Sequence, residues 1–244
     1  FLDIHLKGEE NGFDVLRRAN ELAVDPAMAW STPAALESLD LSFVNPTDTD
    51  FWVQWAHRNT GQMWNGAPDG VVDMDMDTDE AWDIEAGNTS VEVLILDTGI
   101  ETTHPDLHWI NGRNFTTGAV GGVGNGAPGN SCDNHGTAVA GCAAEAGGTL
   151  GGRGTAPSCE VMSGKIGIQE TSPCTNRFSD YSSEWLVNAL DWGRDQGCEI
   201  SNASIGVGVD SAVQDMYTST WNSGVLHFAS AGNGGDDSIG DNGS

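Results

Sequence analysis

Apolar residues fall along this chain in short blocks of two textures, and their alternation predicts the architecture. VEVLILD, residues 91–97, is a nearly continuous β-branched and aliphatic run that stops at Thr-Gly, as a strand buried on both faces does. CEVMSGKI (159–166), CEISNASIG (198–206) and VLHFASAGN (225–233) also read as strands. Between them lie helical textures. HGTAVAGCAAEAGG (135–148) is alanine-rich and closes on a glycine pair suited to a C-cap. SEWLVNALDWGRDQG (183–197) and SAVQDMYTSTWNSG (211–224) also end in glycine. Strands separated by helices of this length predict an α/β fold, a doubly wound, mostly parallel sheet with helices on both faces. Functional groups in such sheets collect beyond the carboxyl ends of the strands, where Asp97 and Asn233 stand.

Residues 1–45 differ from 46–244. FLDIHLKG alternates as a short strand, DVLRRANELA is amphipathic at helical spacing, and NPTDTD (45–50) is a turn-rich boundary. No apolar run approaches the roughly 18 residues of a membrane span. The charge balance is lopsided, with 9 Lys+Arg against 36 Asp+Glu and a net charge of -27. That balance argues against nucleic acid or an anionic membrane as partner, since phosphates are repelled. Five cysteines, at 132, 142, 159, 174 and 198, show no CxxC spacing and suit one or two disulfides with an odd thiol in an exported protein. Cys132 and Cys142 flank His135, but spacing leaves the pairing open.

Asp97 ends a buried strand, where a carboxylate is expensive unless something bonds to it. His135, opening the first alanine-rich helix, is a candidate partner. An aspartate accepting from one ring nitrogen would fix the tautomer and leave the other nitrogen free as a base. On position alone, an aspartate at a strand end is more often a helix cap or turn former. The words LILDTGIETTHPDL, DNHGTAVAG, GTAP, SNASIG and ASAGN, in that order, resemble the subtilisin-like serine proteases, the subtilases. The likeness runs from about residue 46 to the end, and DFWVQWAHRNTGQ resembles the entry segment of secreted bacterial members.

The resemblance implies roles residue by residue. Asp97 orients the base, His135 is the general acid/base, and Asn233 donates its amide to the oxyanion. The backbone of Ser204, Ile205 and Gly206 lines the substrate channel, so Ser204 is not the nucleophile. A second substrate-pairing edge falls near 176–183, where FSDYSSEW lacks the glycine members often carry and a side chain narrows the upper subsites. Asp106, in HPDL, matches a structural calcium ligand, although the companion loop EAGGTLGGRG lacks the usual asparagine. No cofactor is required for the chemistry. Ala138 stands where many relatives carry histidine.

The family nucleophile sits in a Gly-Thr-Ser phrase well after the AGN element, and no such phrase occurs in these 244 residues. The expectation is a fragment open at both ends. Residues 1–45 are the C-terminal part of an inhibitory propeptide, and 46–244 the N-terminal part of a peptidase domain whose serine lies beyond Ser244. The parent is expected to be a secreted, monomeric endopeptidase acting on proteins or peptides and held by its own propeptide, with the 244-residue chain inactive alone. The alternative is an inactive subtilase-like protein that binds peptides without cutting them. An aspartic protease built on Asp-Thr-Gly leaves NHGTAVAG and SAGN unexplained. The run Asp73 to Glu80 reads as a solvated acidic face, and Trp52 and Trp55 as packing residues.

Overall fold

The computed structural model describes residues 46–64, 67, 68, 70–148, 150–171, 173–206, 208 and 210–232. The strand, the helix and the propeptide expected before residue 46 lie outside them, as do Asn233 and all that follows. Two short strands, β1 (Met63–Trp64) and β2 (Ala67–Pro68), pair antiparallel, and among the described residues the centre is β3 (Glu92–Asp97), every position of which is buried after the first. Its neighbours are β5 (Glu160–Lys165) on one side and β8 (Ile200–Ala203) on the other, both parallel to it. β4 (Trp109–Asn114) lies outside β5 and β9 (Leu226–Ala229) outside β8, giving a five-stranded parallel sheet in the order β4-β5-β3-β8-β9.

The continuous apolar run of β3 is explained by helices on both faces. Leu94 and Leu96 point into a cluster with Met162, Leu186, Leu190 and Val213, contributed by β5, α3 (Ser183–Gln196) and α4 (Ser211–Asn222). Val93 and Ile95 point the other way, against Ala140 and Ala144 of α2 (His135–Ala144). Each fully buried aliphatic side chain contributes about 1.5–3 kcal/mol relative to exposure. Connections leave β3 through α2 on one face and β8 through α4 on the other. The sheet therefore has a switch point between β3 and β8, with Asp97 at its rim.

Several elements depart from expectation. Helix α2 ends at Ala144, short of the glycine pair, because Glu145 turns to extended backbone (ψ 126°) and bridges Leu107. Gly148 belongs instead to a loop stitched to residues 47–54. Its N–H donates to Asp48 Oδ1 (2.6 Å), Asp50 N–H donates to Gly151 O (2.7 Å), and Gln54 exchanges bonds with the Arg153 backbone. Residues 198–206 form a strand only over β8, and Ser204 to Gly206 lie beyond it. β6 (Gly167–Thr171) and β7 (Cys174–Tyr181) make an antiparallel hairpin that the hydrophobic pattern does not announce.

The aspartate run is solvent-exposed at Asp73 and Asp77, as expected, but it does not form a strand. Asp73 and Asp77 take left-handed backbone (φ 66° and 51°), Asp75 accepts the N–H of Asn59 and Asp77, and α1 (Thr78–Trp82) follows. Asp79 is buried and bonds Arg58, so one of the acids is structural. Trp52 and Trp55 are 58% and 48% exposed and so lie outside the core.

Candidate active site

Asp97 has zero exposure, and a carboxylate so placed needs donors. It finds the N–H of Thr98 on Oδ1 (2.7 Å) and the imidazole of His135, whose Nδ1 lies 2.9 Å from both Oδ1 and Oδ2. The sequence brings the two together through Gly136. A Cβ there would stand 2.5 Å from the Gly99 carbonyl oxygen and 3.0 Å from Asp97 Cβ, so only glycine lets α2 approach the end of β3. Hydrogen bonding to Asp97 raises the His135 pKa above 6.5, outweighing the burial that pulls it down. The imidazole is 30% exposed and the carboxylate sealed, so the ring alone of the two meets solvent.

Beneath this pair lies a polar network that the sequence reading missed. Lys165, 2% exposed, stands opposite Asp97 in the parallel register of β5 and β3. Its Nζ donates to Asp133 Oδ2 (2.6 Å) and to the carbonyls of Thr98 (2.6 Å) and Gly167 (3.1 Å). Burial works against the Asp133 charge, but bonds from Lys165, Gln169 and Gly129 hold its carboxyl below the usual range. Removing one partner of such a pair costs about 3–5 kcal/mol, because it strands the other charge. A lysine closing a β-strand in MSGK carries no local sign of this role.

The covalent frame also differs from the open pairing of the sequence. Cys132 is bonded to Cys174 of β7, which ties the loop before His135 to the hairpin, while Cys142, Cys159 and Cys198 are free. On that hairpin, within the expected edge at 176–183, Phe178 meets the His135 ring edge-on with centroids 5.5 Å apart. Of the three residues expected to line the channel, Ile205 turns its side chain into the core, Ser204 Oγ accepts from Asn202 Nδ2 (3.0 Å), and Gly206 is exposed.

A second Ser–His contact is not a catalytic pair. Ser201 Oγ lies 2.7 Å from His227 Nδ1, but Ser201 has zero exposure and Thr220 Oγ1 occupies Nε2 at 3.0 Å. With both ring nitrogens engaged, this histidine bridges β8, β9 and α4.

Asp106 offers one feature that fits a cation. Its Oδ2 is sealed from solvent with no hydrogen-bond donor on it. Beside it, burial and the Asp106 charge push the Glu145 carboxyl above its ordinary range, against a bond from Gly152. Among the described residues no three His, Cys, Asp or Glu converge as a metal site, so carbonyl oxygens would have to complete the six to eight that calcium takes.

Comparison with known proteins gives a consistent picture. Residues 88–244 match the model of the subtilase family. The thermophilic serine proteinase of Bacillus sp. (strain AK1) is 32% identical over 162 residues, 65% of this chain and 37% of that protein. Subtilisin Savinase of Lederbergia lenta is 33% identical over 153 residues, 62% of this chain and 51% of its own length. The chain thus spans between about a third and a half of these relatives. In fold it is similar to the Aeromonas sobria serine protease solved in complex with a chaperone, with a TM-score of 0.61 at 21% identity, over 87% of this chain and 35% of that one.

Proposed function

This chain belongs to the subtilase family, and on that premise we propose that it is the base-bearing part of a secreted serine endopeptidase. The observation that carries the proposal is the sealed Asp97 carboxylate with both oxygens 2.9 Å from Nδ1 of His135, at the switch point of the sheet. Asp97 accepts a hydrogen bond from the Nδ1–H, which leaves the Nε2 lone pair to take the proton of a serine hydroxyl as that oxygen attacks the peptide carbonyl. The imidazolium so formed is stabilised by Asp97, in keeping with the raised pKa of His135, and returns its proton to the leaving amine.

Asn233 donates to the oxyanion, a bond whose loss typically costs about 10²–10³ in turnover. An extended substrate pairs with the backbone at Ser204–Gly206 and with the β7 edge, with Phe178 limiting the side chain that fits next to His135. The serine lies beyond Ser244. The shares of the relatives that are covered support this, and so does β9, an edge strand among the described residues, with Leu226 and Phe228 43% and 54% exposed. Residues 1–45 act as the propeptide, Asp106 holds a structural calcium with Glu145 beside it, and the mature enzyme is an extracellular monomer. No helix among the described residues is long and apolar enough to cross a membrane.

A fluorophosphonate probe applied to the full-length protein tests the reading. Labelling of a single serine is expected, and its loss in His135→Ala. Labelling that persists in that variant refutes the base assignment. A protein that never labels but retains peptides is the inactive binder.

A further inference from the structure

The helix that carries His135 has no cap of its own. Asn134 precedes it with helical backbone and no capping bond from its side chain, although the first N–H groups of a helix need acceptors. The Asn134 N–H is shared with the nearby Cys132 carbonyl (2.8 Å), and the other acceptors come from elsewhere in the fold. Gln169 Oε1, on β6, takes the N–H of Asn134 at 2.9 Å and that of His135 itself at 3.0 Å, and Thr98 Oγ1 takes the N–H of Gly136 at 3.0 Å. Gln169 is only 2% exposed, and its own N–H donates to Asp133 Oδ1 (2.8 Å), the carboxylate bonded by Lys165. The Cys132–Cys174 disulfide closes the same circuit covalently through β7.

We propose that Gln169 is the positioning residue of the catalytic base: it acts as an external cap that sets the entry of α2 and so keeps the His135 ring on both oxygens of Asp97. One amide oxygen accepting two successive N–H groups fixes the start of the helix in two directions, where a cap on Asn134 would move with the helix. Thr98 is the second anchor, joined to Asp97 through its N–H and to Lys165 through its carbonyl. Among the described residues, the charged groups bonded to the imidazole and its support are Asp97, Asp133 and Lys165, and Gln169 adds none. The consequence for rate rests on the protease reading, whereas the placement of the imidazole does not.

The test uses the full-length protein labelled with ¹⁵N in histidine. In the wild type the ring of His135 titrates above 6.5 and shows a protected Nδ1–H. In Gln169→Leu, which has no acceptor, the midpoint falls toward 6.5, the Nδ1–H signal is lost to exchange, and kcat drops about 10²-fold with KM unchanged. Gln169→Glu keeps the acceptor and restores the Nδ1–H and most of kcat. Should Gln169→Leu fail to fold, Gln169→Asn, which withdraws the oxygen by one methylene, carries the same readouts. An unchanged midpoint and Nδ1–H in a folded Leu or Asn variant overturns the assignment, as does a Glu variant that behaves like Leu. A wild type without peptidase activity would sink the protease reading and leave the ring titration standing.

Discussion

A single residue, Asp97, decides the acid-base behaviour of the site. Its bond to Nδ1 lifts the His135 pKa above 6.5, and a base works only when neutral. The acid limb of the rate profile is therefore expected above pH 6.5. Asp97→Asn removes the charge, so the limb should shift to lower pH while kcat falls about 10⁴-fold. A pH–rate profile of the variant with an unmoved limb would remove Asp97 from the site. The stability sign follows from the same shift. A folded pKa raised above the unfolded value gives stabilisation that is complete below 6.5 and lost as pH rises through the folded value. At this scale Asp97 and His135 were legible because a strand end and a helix start each carry a recognisable phrase. Lys165, Asp133 and Gln169 were not. Their roles exist only once parallel pairing sets Lys165 opposite Asp97 and a hairpin carries Gln169 under the helix.

The hairpin is the element on which site and scaffold meet. Its strand CTNRFSDY alternates poorly and holds charge, so its hydrophobic pattern gives no strand signal, and its order comes from pairing and from the disulfide. The helix ends early for a related reason: a glycine pair suits a C-cap, but Glu145 finds a bridge to Leu107 first. The disulfide closes a sequence separation of 42 residues, worth about 4 kcal/mol in the chain-entropy account. Cys132→Ser, Cys174→Ser and the double variant should therefore melt at one lowered temperature, several degrees below the wild type. Cys142→Ser should melt as the wild type does. A destabilised Cys142→Ser would restore the smaller loop around His135 that cysteine spacing left open.

For the whole molecule the sheet explains both what the chain holds and what it exposes. The core on the β3 side is closed by helices on two faces, but among the described residues β9 pairs only with β8. Leu226 and Phe228 project two residues apart, and Trp221 at the end of α4 is 59% exposed. An edge strand with free backbone groups and large apolar side chains invites another strand. The net charge of -27 opposes association at long range, and salt weakens that opposition. The 244-residue chain is therefore expected to associate in a concentration-dependent way that grows with ionic strength. Phe228→Lys, half-exposed in the wild type and placing a charge on the edge, should keep it monomeric with little change in melting temperature. In a longer protein whose added chain packs on β9, the wild type should sediment as a monomer and Phe228→Lys should instead be destabilising. Equal behaviour of the variant in both lengths would mean that nothing beyond Ser244 packs on this edge.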